Sequence, residues 1–249
     1  MKLFCSLLVF FKALIPDMLS AEPWPFAKIN STGESHSFHL FSLNDSDLKN
    51  TNSSTEIIYF RNGINYIVPV HKRWLGSRLM YTLGKRGCEE KYFEGLNPGE
   101  FLVFSSGTND VFYKRHLYKQ IINGGDLSEI TFKMVVNYLK WIKTIEEKYR
   151  IIPIILSVIP PVFDPNIDRD SVCTPNDDRV IYSKFINSEL KKQTKMSQYI
   201  YFDLNEFYSN KYGFLKDEYV SDGIHINPKD SEYFRQKLCD LIWDYEMSK

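Results

Sequence analysis

Net charge is the first thing this chain lacks: its 31 Lys and Arg balance its 31 Asp and Glu across 249 residues. A chain with no overall field has no electrostatic pull toward a polyanion or an anionic membrane surface. Short basic clusters such as Lys85-Arg86 and Lys191-Lys192 read as solvated faces, without the extended stripe and stacked aromatics of a nucleic-acid groove. No nucleic-acid partner is expected. Cysteine is also scarce. Cys5, Cys88, Cys173 and Cys239 are widely scattered with no C-x-x-C pair, which excludes the usual zinc spacings and gives no disulfide framework; reduced thiols are the expectation. Long hydrophobic runs are missing too. The best candidate, Leu3–Phe11, is stopped by Lys12 and is too short to span a bilayer as a helix. There is no Gly-x-Gly-x-x-Gly, no phosphate-binding loop, no internal repeat and no linker, so no nucleotide cofactor is expected.

The opening segment imitates a signal peptide, with Met1-Lys2 ahead of the apolar run. Lys12, Pro16 and Asp17 interrupt it, and cleavage after Ala21 would leave bulky Leu19 at the third position before the cut. We therefore expect residues 1–21 to form an N-terminal extension or weak signal-like segment, favouring a cytoplasmic over a secreted location, and residues 22–249 to form one domain. The apolar share of 43% and charged share of 25% are ordinary for a globular chain.

What is present is an alternation of short apolar runs and amphipathic stretches. Strands are expected at Phe26–Asn30, Tyr66–Val70, Phe101–Phe104, Ile151–Ile159 and Tyr199–Phe202. Pro153 lies near the start of its strand, where a missing amide donor does least harm. Helices are expected from about Ser77, over Leu127–Tyr149, from about Asp177 to Lys192, and from Asn227-Pro228 onward. The clearest is Leu127–Tyr149, where Leu127, Ile130, Met134, Tyr138, Ile142, Ile145 and Tyr149 recur every three to four residues behind a capping pair, Asp126 and Glu129. The last helix should bury Tyr233, Phe234, Leu238, Leu241, Ile242 and Tyr245. The polar stretch Asn44–Thr55 reads as a surface loop. Strands and helices in regular alternation imply parallel strands covered on both faces, with ligands beyond the carboxyl ends of the strands.

Three polar clusters fall at those ends: Gly33-Glu34-Ser35-His36-Ser37, Gly107-Thr108-Asn109-Asp110, and Asp222-Gly223-Ile224-His225. A serine hydroxyl attacks only when a base takes its proton. Histidine is that base at neutral pH, and a carboxylate on its other nitrogen fixes the tautomer. Ser35, His225 and Asp222 are the candidate nucleophile, base and acid, with Asp222 three residues from His225 in one loop. An oxyanion needs preorganised donors: the Asn109 side-chain amide, the Ser35 backbone N–H, and a glycine N–H from another loop. Taken singly, each cluster also reads as a turn or a helix cap; their joint occurrence in this order favours chemistry. His36 and His39 are three apart, but no third ligand accompanies them, and no metal is expected.

Together these residues resemble the SGNH (GDSL-like) hydrolases, whose blocks centre on Ser, Gly, Asn and His. Gly33-Glu34-Ser35 is similar to the first block, Gly107-x-Asn109-Asp110 to the third and Asp222-x-x-His225 to the fifth. Gly76, rather than Gly84, is the candidate second-block glycine. The segment from Arg179, Tyr182 and Asn187 through Tyr212-Gly213 to Asp222 also resembles bacterial members of that family. The resemblance implies an α/β fold, a three-layer α/β/α sandwich around a five-stranded parallel sheet (flavodoxin-like). It also implies an esterase with Ser35, Asp222 and His225 as catalytic residues, Gly76, Gly107 and Asn109 at the oxyanion, and no cofactor. The expected partner is a small-molecule or glycan ester. One departure is visible: the family usually carries Asp before the nucleophile, and here it is Glu34. A lipase-type α/β-hydrolase would need Gly at the position of Ser37. A carbohydrate O-acyltransferase on the same site, or a silent glycan-binding protein on this fold, remain the alternatives.

Overall fold

The computed structural model describes residues 21–42, 52–167, 172–221 and 225–249. The expected extension over 1–21, apart from residue 21, and the expected acid Asp222 lie outside the described residues. Among those described, seven strands form one sheet: β1 (Glu22–Pro23), β2 (Ile29–Gly33), β3 (Asn52–Arg61), β4 (Ile64–Trp74), β5 (Phe101–Ser105), β6 (Ile152–Leu156) and β7 (Ile200–Phe202). The helices are α1 (His36–His39), α2 (Met80–Arg86), α3 (Thr108–Phe112), α4 (His116–Ile122), α5 (Leu127–Tyr149), α6 (Asn176–Met196), α7 (Asn205–Tyr208) and α8 (Glu232–Met247).

The sheet runs β1-β4-β2-β5-β6-β7, parallel throughout, with β3 antiparallel on the outer edge of β4. Setting aside the short β1 and the added β3 leaves the five expected parallel strands. Their order is 2-1-3-4-5 along the chain, the doubly wound order in which the switch point falls between the first and third strands. Here those are β2 and β5.

Alternate side chains of β5 enter opposite layers, as strand pleating requires. Phe101 and Val103 pack with Phe234, Leu238 and Ile242 of α8. Leu102 and Phe104 pack with Met134, Tyr138 and Ile142 of α5 and with Tyr182, Ile186 and Leu190 of α6. The three layers of the sandwich follow. Gly84 serves this packing, because a Cβ there would lie 2.7 Å from the Tyr138 amide nitrogen, where α2 crosses α5.

The structure corrects several expectations. The first strand begins at Ile29, three residues late, because Trp24 and Phe26 are spent in an aromatic cluster with Trp243 at 5.9 and 5.0 Å. It continues to Gly33 because buried Asn30 and Ser31 find partners: Asn30 Nδ2 donates to Glu100 at 2.9 Å, and the Ser31 hydroxyl donates to the Ser37 carbonyl. Of the expected loop Asn44–Thr55, residues 52–55 open β3; the earlier part lies outside the described residues. The β3–β4 hairpin turns on Asn62-Gly63, both at positive φ (52° and 84°), the pairing that a two-residue type I′ turn demands. Its outer edge is engaged by Gln236 of α8, whose amide accepts from Phe60 N at 3.1 Å and donates to Ile58 O at 2.8 Å. Tyr233, expected inside, is 49% exposed, and the last helix is entered through a 3-10 turn, Pro228–Ser231, capped by Asn227.

Candidate active site

β2 delivers its last residue against β5. Gly33 has φ +135°, and a Cβ there would sit 1.8 Å from the Ser105 carbonyl oxygen, so only glycine keeps the Gly33↔Ser105 pairing. The chain then turns: Glu34 N donates to Ser105 O at 3.0 Å, and His39 N donates to Ser35 O at 3.1 Å, starting α1. Ser35 thereby emerges at the carboxyl edge, at the switch point. Its hydroxyl lies 2.7 Å from His225 Nε2. If the serine donates, the imidazole carries its proton on Nδ1.

His225 arrives from 190 residues away on a short loop. Ser221 N donates to His225 O at 2.9 Å, Val220 bridges Ile226, and Asn227 N donates to Tyr219 O at 2.8 Å. Asp222, between these anchors, is outside the described residues, so its carboxylate is not placed. Gly76 follows β4 immediately beyond the Gly33↔Trp74 pair, and Leu75 N donates to Gly33 O at 2.9 Å. It has φ +81°, with nothing within 4 Å of an added Cβ. Gly107, at φ +112°, begins α3, and a Cβ there would strike Val158 at 2.6 Å.

Glu34, the departure from the pattern of the SGNH hydrolases, joins the first and second of the three polar clusters. One carboxylate oxygen accepts from Thr108 N at 3.0 Å; the other accepts from Asn109 N at 3.2 Å and from Asn109 Nδ2 at 2.9 Å. The Asn109 amide is thus oriented by one N–H and keeps a second donor on the same nitrogen. Burial pushes the Glu34 pKa up, opposed by hydrogen bonds from Thr108 and Asn109. Asp110 is also buried, and its carboxyl is pushed up to about 7 by desolvation and by the nearby Glu34 charge, despite accepting from Met80 N at 2.6 Å.

His36 and His39 are not the isolated pair that their spacing suggested. The His39 ring lies on the His225 ring with centroids 4.0 Å apart and planes 12° from parallel, and His36 is 4.9 Å from His225 at 49°. Among the described residues no group of three or more His, Cys, Asp or Glu is arranged to hold a metal ion, and no helix is long and apolar enough to cross a membrane. A cavity of about 690 Å³, lined by Phe163, Ile181, Tyr212, Phe214 and Asp217, opens beside the loop leading to His225.

In overall backbone, the molecule is similar to a Bacteroides fragilis protein named as an acylhydrolase (TM-score 0.52, 18% identity, covering 90% of this chain and 91% of that one). It is similar also to a GDSL-like lipase of Bacteroides thetaiotaomicron (TM-score 0.52, 15% identity, covering 87% and 88%). The fold is that of the SGNH (GDSL-like) hydrolases. No family model matches the chain, and no curated protein matches it in sequence. At these identities the likeness is one of fold, spanning nearly the whole of both chains.

The structure brings Ser35 and His225 together and ties Asn109 to the turn that carries Ser35. Two features escaped the sequence reading. The anchoring role of Glu34 was visible there only as an anomaly, and the stacking of His39 on His225 left only the spacing Ser35-x-x-x-His39 as a trace.

Proposed function

We propose that this chain is a serine ester hydrolase acting on a small or carbohydrate-borne acyl ester. The observation that carries the reading is the 2.7 Å approach of Ser35 Oγ to His225 Nε2 at the switch point of a GDSL-like fold. In this reading Ser35 Oγ attacks the ester carbonyl carbon while its proton passes to His225 Nε2. The tetrahedral oxyanion takes N–H donors from Asn109, Ser35 and a glycine, Gly76 or Gly107, each typically worth about 3 kcal/mol. Collapse returns the proton from His225 to the departing alkoxide and leaves acyl-Ser35. Water, deprotonated by the same imidazole, then attacks the acyl carbonyl; collapse breaks the bond to Ser35 Oγ, which takes the proton back from His225, and releases the acid. Asp222 is the proposed partner of His225 Nδ1–H, holding the tautomer that leaves Nε2 free to accept. Glu34 supports the reading by fixing the Asn109 amide before substrate arrives, because donors already oriented cost no reorganisation during reaction.

The test is hydrolysis of p-nitrophenyl acetate together with fluorophosphonate labelling. We expect turnover that Ser35→Ala lowers by at least about a thousandfold, a label on Ser35 located by mass spectrometry, and suppressed labelling in His225→Ala. A label on a different serine, or full turnover in the Ser35 variant, rejects the assignment. A panel of esters of rising acyl length, with acetylated glycans included, then reads the substrate.

A further inference from the structure

We propose that His39 is a positioning residue for His225: its ring is the platform that sets the plane of the general base. The inference deepens the hydrolase reading and rests on it. His39 lies one helical turn beyond Ser35, with its amide bonded to the Ser35 carbonyl at 3.1 Å, and residues four apart share a helix face. The turn after β2 and the short helix it starts therefore carry, one after the other, the nucleophile and the surface on which the base rests. The backbone around His225 is held by the Val220–Ile226 bridge and the Ser221 N–H bond to the His225 carbonyl, contacts that act on the main chain, while Nε2 of the ring meets Ser35 Oγ at 2.7 Å. Rotation about the terminal torsion of histidine is soft and broad, and it is this torsion that swings Nε2 toward or away from Ser35 Oγ.

The His39 ring opposes that rotation. It is buried, with 5% exposure, and lies nearly parallel to the base, at 12° and 4.0 Å, so a turn of the His225 ring must break a stacked contact. His36, itself fully buried, stands against the same ring at 4.9 Å and 49° and limits rotation from a second direction.

The experiment compares His39→Ala, His39→Leu and His39→Phe in the full chain, using p-nitrophenyl acetate kinetics, fluorophosphonate labelling rates and thermal melts. We expect kcat in the Leu variant to fall by about tenfold to a hundredfold, as misplacement of a catalytic group does, with KM changed by less than about twofold. The Phe variant, which keeps a flat ring, should recover most of the rate. The labelling rate should follow kcat. The Ala variant should be at least as slow as Leu; because it can also lose stability through its cavity, the Leu–Phe pair carries the comparison. Equal rates in folded Leu and Phe variants, or a wild-type rate in Ala, overturn the platform role. Ser35→Ala and His225→Ala run alongside separate the two ideas: if both are inactive while His39→Ala is at full rate, only the platform falls. Turnover that survives Ser35→Ala removes the hydrolase reading beneath it.

Discussion

On one side of the candidate site, Glu34 ties the turn after β2 to the first turn of α3 through three hydrogen bonds made inside the protein. On the other side, His225 is positioned by an antiparallel bridge, one backbone bond to Ser221 and a stack of imidazole rings. The first half is braced by a buried carboxyl group that accepts three hydrogen bonds. The second is held by packing and by the closing of a short loop. In the proposed reading, hydrogen bonds to Glu34 fix the donor side, and ring stacking contributes to fixing the base side. The difference teaches where each half should fail: the donor side through loss of the bonds between Glu34 and Asn109, the base side through loss of the ring stack or of the proposed Asp222 partner.

The largest effect should come from the donor side. Asn109→Ala should lower kcat by about 10²–10³-fold with the fold intact. Glu34→Gln, which offers an amide N–H₂ where an acceptor is needed, should cost less. Since Glu34 acts through Asn109, the double variant should be scarcely slower than Asn109→Ala alone, a coupling that a double-mutant cycle on kcat measures. Strictly additive losses would mean that Glu34 does something other than hold Asn109. Next is Asp222→Asn, expected to lower kcat by about a hundredfold, short of the roughly 10⁴-fold loss at the equivalent carboxylate of a serine protease, with an unchanged melting temperature. A full-rate variant that melts earlier would leave a Ser35–His225 pair and make Asp222 a turn residue.

The smallest effect is a pH dependence confined to the braced half. The Asp110 carboxyl is raised from 3.8 to about 7, so the folded protein holds this proton more tightly than the unfolded chain. The stabilisation is fully present below about pH 4 and is lost as pH rises toward about 7. The melting temperature should therefore fall across that window on account of this group. Asp110→Asn, which keeps an acceptor for the Met80 amide, should flatten part of the fall; Glu34 is shifted in the same direction and adds to it. Calorimetry across this range checks it, and an undiminished slope in the Asn variant counts against Asp110.

What could be read from the sequence divides by the range of the interactions involved. Helix α5 begins and ends at the expected residues, Leu127 and Tyr149, because an apolar stripe of many turns starts at a local cap, with Glu129 N donating to Asp126 at 2.7 Å. The first strand was misplaced because Asn30, Ser31 and Thr32 are polar yet wholly buried, their partners lying on other elements. Strand β3 was missed although Asn62-Gly63 between apolar residues is a strong hairpin signal; the Ser- and Thr-rich residues before it obscured the alternation of an edge strand. In the candidate site, Ser35 and Asn109 each follow a strand end and His225 precedes the last helix, places that local sequence marks. The His39–His225 stack was not, because a contact between a residue of the first turn and one near the last helix leaves no local pattern.

The Gln236 side chain on the rim of β3 has a consequence for how the protein meets other copies of itself. A carboxamide presents one acceptor and a donor pair in the plane of a peptide group, so Gln236, accepting from Phe60 N and donating to Ile58 O, acts as a one-residue strand with no next neighbour. Ile58 and Phe60 are 49% and 59% exposed, and a bare edge carrying such side chains is a template for intermolecular pairing. Where Gln236 sits, the template is already occupied, by a helix that cannot itself propagate a ladder.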